Sequence, residues 1–325
     1  IRTWLFSTVV RSELEWGRLP WAHVALSGWI LDSDRKKMSK SDGNVETPMP
    51  WLEQYGSDAV RYWAAHGRPG ADTVFEEDQI KVGRRLAVKV LNVGQFVLGP
   101  RGLGLAGAGR LGAPGPGGAA GEPVDRSLLS GLGQLVDSAT ADLEGYDYTR
   151  ALERTESYFW DFCDNYVELV KRRAYGDLGQ DRAAPARATL AAALSVLVRL
   201  MAPFLPFVTE EVWSWLAGGR DSVHRAPWPS AAELGAGGGS GAEGGEAVYA
   251  VASELLKGVR RAKTGAGRSQ RAAVASLTVR DTAERLALGR SAEDDLRQAG
   301  SVAELDWIEI EPGQSPSHEV DLGVE

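Results

Sequence analysis

Four long stretches of helical periodicity between residues 125 and 216 constrain the fold of this chain more than any other feature. Apolar residues recur at the three- and four-residue spacing of amphipathic helices over residues 125–143, 148–174, 185–201 and 209–216. Pro203 and Pro206 interrupt the chain before the last stretch. Because long helices joined by short connections favour a helical bundle, we predict a mainly α protein.

The segments on either side of this bundle carry mixed signals. On its N-terminal side the pattern predicts a strand over 23–31 and helices over 1–14, 57–65 and 76–98, with Ser57 or Asp58 as the N-cap of the third element. On its C-terminal side it predicts a helix over 247–263, and strands over 273–279 and 303–310 that flank a helical 281–299. The C-terminal pattern is that of a small α+β module.

Two segments rich in glycine divide the chain. Residues 99–123 are dominated by Gly, Ala and Pro, which is typical of a flexible insertion. A second stretch precedes the C-terminal module. We therefore predict four parts, with the insertion inside the second: residues 1–75, 76–229, 230–246 and 247–325.

Composition limits the classes of protein to which the chain can belong. It has 325 residues and one cysteine, Cys163, so an internal disulfide is excluded and a reducing, cytoplasmic location is expected. No apolar run has the length of a membrane span, and no signal peptide opens the chain. Its first residue is Ile1 rather than Met, which suggests a fragment of something longer or a processed form. The net charge of −8 does not exclude RNA, because an acidic protein can carry local basic patches.

The motif Lys37-Met38-Ser39-Lys40-Ser41 is the strongest chemical signal. It follows the predicted strand 23–31 and a turn predicted at Asp32-Ser33-Asp34, on a loop that continues to Asn44. Two lysines three residues apart, with small hydroxyl residues beside them, suit a mobile loop that binds a triphosphate. Gly43 gives the backbone freedom to close. The alternative is a solvated lysine-rich turn, and the pentapeptide alone leaves both open.

The motif resembles the signature loop of class I aminoacyl-tRNA synthetases, and further blocks resemble valyl-tRNA synthetases. These blocks cover about residues 1–230 and lie at 55–63, 68–73, 81–92, 159–171, 202–213 and 224–229. The resemblance implies that residues 1–75 end a Rossmann-type catalytic domain and that 76–229 bind the anticodon. An alternative is an isoleucyl- or leucyl-type synthetase.

The resemblance also implies the chemistry. Lys40 would bind ATP and stabilise the transition state of amino acid activation, Lys37 would assist, and residues 37–41 together would bind ATP. Magnesium would enter with ATP, without an identifiable protein ligand. The implied partners are tRNA(Val), ATP and valine, with no membrane, and the full-length enzyme is expected to be a monomer. Asp42 departs from the family pattern.

None of the four histidines lies in the second ATP motif of this family, which is rich in histidine. We therefore expect the isolated chain to be inactive in making valyl-adenylate, since that motif and most of the valine pocket would lie upstream. A non-catalytic tRNA-binding module is a second possibility. With no CxxC pair and dispersed histidines, the sequence indicates no zinc site.

Two basic clusters are candidates for contact with tRNA. One lies on the predicted helix 76–98 and comprises Lys81, Arg84 and Arg85; the other, on 247–263, comprises Lys257, Arg260 and Arg261. The alternative for both is a solvated helix face. We interpret Arg172 and Arg173 as surface residues that complement a helix dipole. The aromatic residues of 158–166 have helical spacing and are expected to lie in the bundle core.

Overall fold

The computed structural model describes residues 2–106, 121–219, 221–235, 242–311 and 313–323. Most of its regular structure is helical. The helices are Arg2–Trp16 (α1), Met49–Tyr55 (α2), Ser57–Ala65 (α3), Glu77–Leu98 (α4), Pro123–Glu144 (α5), Tyr148–Asp161 (α6), Val167–Tyr175 (α7), Gln180–Met201 (α8), Pro206–Leu216 (α9), Ala242–Gly265 (α10), Ala283–Arg290 (α11) and Glu293–Gly300 (α12). The predicted helices 57–65, 76–98, 125–143 and 209–216 are confirmed, with small shifts at their ends.

The strands form two small sheets. Ile30–Leu31 (β1) pairs in parallel with Thr73–Val74 (β2). Val274–Asp281 (β3) lies between Val302–Glu309 (β4), which is parallel to it, and Ser317–Asp321 (β5), which is antiparallel. The second sheet confirms the two C-terminal strands predicted from the sequence and adds β5. Residues 107–120 of the predicted insertion and 236–241 of the glycine-rich linker lie outside the described residues.

The chain divides into two compact units. The first comprises Ile1–Thr47 and His66–Glu76, and it contains α1, β1, β2 and the lysine motif. The second comprises Pro48–Ala65 and Glu77–Glu325, and it contains the other helices and the three-stranded sheet. Residues 48–65 therefore pack with the helical unit, although the sequence suggested a domain over 1–75.

The strand predicted over 23–31 was too long, because only Ile30 and Leu31 form a ladder. The amide N–H of Trp29 donates instead to the Asp72 carboxylate, at 2.7 Å. This side chain takes the place of a backbone partner and ends the ladder at that point. Just before it, a Cβ at Gly28 would lie 2.0 Å from the carbonyl oxygen of Ala71. Only glycine allows the two segments to approach so closely.

The helix predicted over 148–174 is interrupted by one turn of π-helix at Phe162–Tyr166. Phe159, Phe162 and Tyr166 are buried in the core, as predicted. The helix predicted to begin at residue 185 begins at Gln180 instead and holds Pro185 inside it. Helix α8 is long and apolar enough to cross a membrane, but 67% of that apolar stretch is buried inside the protein, as in the central helix of a bundle.

Arg173 does not lie on the surface, contrary to the sequence-based interpretation, because it is fully buried. Its guanidinium binds both carboxylate oxygens of Asp125 on α5, at 2.7 and 2.8 Å, and Asp295 on α12, at 2.9 Å. The hydroxyl of Tyr166 also donates to Asp125, at 2.7 Å. We call Asp125, Tyr166, Arg173 and Asp295 the buried arginine cluster. It joins the C-terminal module to the bundle.

Candidate functional site

The lysine motif lies in the first unit, on a loop that begins directly after β1. The backbone turns back at once: the N–H of Asp32 donates to the carbonyl of Lys36, at 2.9 Å, and the N–H of Arg35 donates to that of Asp32, also at 2.9 Å. Arg35 has a φ of 62°, in the left-handed region where residues other than glycine are uncommon. Leu31 and Lys37 then form an antiparallel bridge. The turn therefore places the first lysine beside the end of β1.

The Asp32 side chain organises the start of this loop. Its carboxylate accepts the N–H of Asp34 at 3.0 Å and the N–H of Lys36 at 2.8 Å. The other oxygen accepts the side-chain amide of Asn44 at 2.7 Å. These bonds, with that from Asn44 the largest contribution, lower the pKa of Asp32. A carboxylate that accepts several N–H groups is stabilised in its charged form.

Asn44 connects the far end of the loop to the lysine motif itself. Its side-chain oxygen accepts the N–H of Ser39 at 2.9 Å, and its Nδ2 also lies 3.3 Å from the carbonyl oxygen of Lys37. Gly43, at a φ of +67°, allows the chain to turn back to this point. We call the contacts of Asp32 and Asn44 the Asp32–Asn44 clasp. It fixes the backbone on both sides of Met38.

The structure brings the predicted ATP-binding residues together on this loop. The Lys37 ammonium lies over the indole of Trp29, 3.6 Å from the ring centroid, in a cation–π contact. Lys40 is exposed. Met38 and Ser39 are half-buried, and the hydroxyls of Ser39 and Ser41 lie 2.6 Å apart. The loop thus presents two exposed lysines, of which Lys37 is docked on an aromatic ring.

Asp42, the departure from the family pattern, is exposed. Its backbone N–H donates to the carbonyl of Ser39, at 3.2 Å.

The first basic cluster lies on α4. Lys81 pairs with Glu77 at 3.3 Å and with Asp78 at 3.1 Å, and the hydrogen bond to Asp78 is the largest cause of its raised pKa. Arg84 and Arg85 are exposed. All three side chains therefore lie on the solvent side of α4, and Lys81 has two acidic neighbours.

The second basic cluster, on α10, is divided between internal contacts and the surface. Lys257 pairs with Asp161 at 3.1 Å. Arg260 donates to the carbonyl oxygen of Asp164, in the π-helical turn. Arg261 is exposed. Of the three candidates on α10, Arg261 is the one whose side chain is most open to a phosphate.

Two further basic residues that follow this cluster, Lys263 and Arg268, also have structural contacts. Lys263 is buried and donates to the carbonyl oxygens of Gln270, at 3.1 Å, and Gly300, at 2.8 Å. Burial lowers the pKa of its ammonium. Arg268 donates to the carbonyl oxygen of Leu322 at 2.7 Å. The density of positive charge in this part of the sequence therefore overstates the basic surface.

Cys163 is free and buried, and burial raises the pKa of its thiol to about 12. A thiol with so high a pKa is unreactive at neutral pH. Across residues 2–106, 121–219, 221–235, 242–311 and 313–323, no group of three or more His, Cys, Asp or Glu side chains is placed to hold a metal ion.

Three residues that contact the lysine motif or organise its loop were not selected from the sequence: Trp29, Asp32 and Asn44. Asp32 was interpreted only as part of a turn, and Asn44 only as part of the continuing loop. The available signal was the pair of Asp and Asn side chains at the two ends of the motif, because both types bind nearby backbone groups in turns. No pattern in the sequence indicated that Lys37 would contact the Trp29 ring.

Two family models match the chain. One, described as the anticodon-binding domain of tRNA ligase, matches residues 125–278. The other, described as tRNA synthetases class I (I, L, M and V), matches residues 1–76. The first match begins at the start of α5 and extends into the C-terminal module as far as β3. The second contains the whole lysine loop.

The chain is also similar to curated proteins along nearly its whole length. It is 51% identical to the valine–tRNA ligase of Salinispora tropica, across 99% of this chain and 38% of that protein. It is 55% identical to the valine–tRNA ligase of Thermobifida fusca, across 94% of this chain and 33% of that protein. The chain therefore spans about a third of the length of the curated relatives it matches.

Among solved structures, the chain resembles the Agrobacterium radiobacter K84 agnB2 LeuRS in its ternary complex with tRNA and LeuAMS. The TM-score is 0.50 and the identity 23%, over 70% of this chain and 27% of that one. At this identity the likeness concerns the fold alone.

Proposed function

The chain belongs to the class I tRNA synthetases and corresponds to the C-terminal part of their valine-type members, and from this premise we propose that it serves in the ATP-dependent ligation of valine to tRNA(Val). The observation that carries the proposal is the identity of 51–55% to valine–tRNA ligases, over 94–99% of the chain. The same stretch contains an intact and exposed lysine loop.

The lysine loop suits the activation step. A carboxylate of valine attacks the α-phosphate of ATP, pyrophosphate leaves, and negative charge grows on the phosphoryl oxygens. Such a reaction needs positioning and electrostatic stabilisation rather than a covalent nucleophile from the protein. Lys40, exposed on the loop, would bind the triphosphate, and Lys37 would join it after leaving the Trp29 ring. Magnesium would be bound mainly by the phosphates and water.

We assign the parts of the chain accordingly. The first unit contributes the end of a Rossmann-type catalytic domain with the lysine loop. The helices from α4 to α9 form an anticodon-binding bundle, which is supported by the family match over 125–278. The C-terminal α+β module is attached to that bundle. Action on tRNA in the cytoplasm, as a monomeric full-length enzyme, completes the proposal.

The candidate contacts with tRNA differ in how well the structure supports them. Arg84, Arg85 and Arg261 are exposed and would bind phosphates. Lys81, Lys257 and Arg260 have partners within the protein. Arg261→Ala is therefore the cleanest substitution for a tRNA-binding assay, because changes at Lys257 or Arg260 would also remove contacts between α10 and the π-helical turn.

The test of the activation chemistry uses the full-length protein that carries this chain. ATP–pyrophosphate exchange is measured with valine, isoleucine and leucine in turn, and we expect valine to support it best. Lys40→Ala should lower the exchange rate by about 10²–10³-fold, the usual effect of removing one group that stabilises transition-state charge.

Lys36→Ala is the matched control. Lys36 lies in the same loop, is exposed, and pairs only loosely with Asp34, at 3.8 Å. It should leave the exchange rate within about twofold, as expected for a surface charge with no role in the reaction. Faster exchange with isoleucine or leucine than with valine would refute the valine assignment, and equal activity of the Lys36 and Lys40 variants would refute the role of the loop.

A further inference from the structure

The Asp32–Asn44 clasp does more than close a turn, because it binds the backbone between the two lysines. The N–H of Ser39 and the carbonyl of Lys37 are both held by the same amide group of Asn44. That amide is held in turn by the Asp32 carboxylate, at 2.7 Å. We propose that Asn44 is a positioning residue, oriented by Asp32, that sets the direction in which Lys37 and Lys40 leave the backbone. This inference rests on the proposed function.

The chemistry of the clasp requires an amide at position 44 and a carboxylate at position 32. Asn44 accepts one hydrogen bond through its oxygen and donates through its nitrogen toward Asp32 and Lys37. The Asp32 carboxylate accepts from three N–H groups and donates to none. An ionised carboxylate can only accept, whereas an amide does both. Replacing only one of the two residues by the other type should therefore break the clasp, although Asp and Asn are close in size and shape.

Positioning matters here because lysine is a flexible side chain. The lysine ammonium is a point charge on a four-carbon stem, so its location depends on the anchoring of its backbone. Lys40 lies one residue after Ser39, whose N–H is fixed by Asn44. A displacement of about 1 Å in a reacting group can cost about 100-fold in rate. Without the clasp, the backbone from which both lysine side chains extend would no longer be held in one position.

The test is valine-dependent ATP–pyrophosphate exchange by the full-length protein, with Asn44→Asp, Asp32→Asn and the exchanged pair D32N/N44D. Asn44→Asp sets two carboxylates against each other, and Asp32→Asn sets two amide donors against each other. Each should lower kcat by about 100-fold, with a much smaller change in KM for valine. The exchanged pair restores one N–H···O contact between the two side chains and keeps an acceptor for Ser39. It should recover at least about tenfold of the loss.

Asp34→Asn is the matched control. It is the same chemical change two residues away, at an exposed carboxylate whose side chain only approaches Lys36 at 3.8 Å. It should leave kcat within about twofold. A second readout separates positioning from general damage: transfer of valine to tRNA from preformed valyl-adenylate involves no triphosphate, so the Asn44 variant should keep that rate. Loss of folded enzyme would lower both steps together.

Wild-type kinetics in the Asn44→Asp variant, or an exchanged pair no better than the single variants, would overturn the inference. If the wild-type protein shows no valine-dependent exchange, the proposed function fails. The clasp is then judged by hydrogen exchange of the Ser39 amide in this chain. Protection that is lost in Asn44→Asp and regained in the exchanged pair supports the clasp, whereas an unprotected wild-type amide refutes it.

Discussion

Two aspartates, Asp32 and Asp125, each organise several hydrogen-bond donors, but they do so in opposite surroundings. Asp32 lies in an exposed loop, and its partners are neutral N–H groups of the loop. Asp125 is 1% exposed, and its partners include the guanidinium of Arg173 and the hydroxyl of Tyr166. The same type of side chain therefore shapes an exposed loop at one site and holds two parts of a protein together at another.

The difference is one of solvation. In water, a lost hydrogen bond is replaced by one to solvent, so the clasp controls conformation more than stability. In the buried arginine cluster no water replaces a missing partner, and an uncompensated charge is very costly. Two carboxylates also share one guanidinium there. Burial, the largest cause, raises the pKa of Asp295 to about 6, against the opposing effect of Arg173.

The largest effect is expected for Arg173→Met. This change keeps much of the side-chain volume but leaves Asp125 and Asp295 buried without their cation. It should lower the free energy of unfolding of the helical unit by about 3–5 kcal/mol, measured by chemical denaturation. Arg172→Met is the control, because Arg172 is adjacent but mostly exposed, and its cost should be about 0.5 kcal/mol or less. Equal effects of the two substitutions would contradict the comparison.

An intermediate effect is expected from pH. The pKa of Asp295 is raised from 3.8 to about 6 on folding, so between these values the folded chain binds more protons than the unfolded chain. This group therefore contributes stability below about pH 4 that is lost as the pH rises to 6, by up to about 3 kcal/mol. Asp295→Asn should remove that component from a plot of unfolding free energy against pH. Asp294→Asn, at a more exposed neighbour, should retain it.

The smallest effect on stability is expected for Asp32→Asn. Because its partners in the loop can turn to water, the substitution should shift the Tm of the chain by less than about 2 °C, in a thermal melt followed by circular dichroism. The same substitution is expected to slow activation strongly, so stability and activity should separate at this site. A fall in Tm comparable to that of Arg173→Met would show that the clasp is structural.

The sequence predicted the helices well, since their apolar periodicity directly reflects the face that is buried. It failed for the strand over 23–31, where Asp72 takes the place of a ladder partner at Trp29. It also missed the interruption at Phe162–Tyr166, because one extra residue in a helical turn hardly alters an amphipathic pattern. Local periodicity shows neither a side chain from a distant segment that replaces a strand partner nor a single extra residue in a helical turn.

The residues of the candidate site could be selected from the sequence only in part, again because local patterns do not show distant partners. Lys37 and Lys40 stand in a contiguous motif, so they could be selected directly. Asn44 lies close by, yet its partners become visible only when the loop is closed. The basic residues of α10 looked alike in sequence, but Lys263 is buried whereas Arg261 is exposed. Helical spacing alone did not show that Lys263 is the one that reaches the end of α12, at Gly300.

By itself, the sequence determined the helical bundle, the resemblance to the class I synthetases and the lysine motif, because each is encoded in residues close together in the chain. The tertiary structure alone decided which charges face water and which are buried. Arg173 meets Asp295 across 122 positions, and such a pairing follows from the packing of distant helices. Burial then decides the energetic weight of each charge, since the cost of an unpaired ion depends on the loss of water around it.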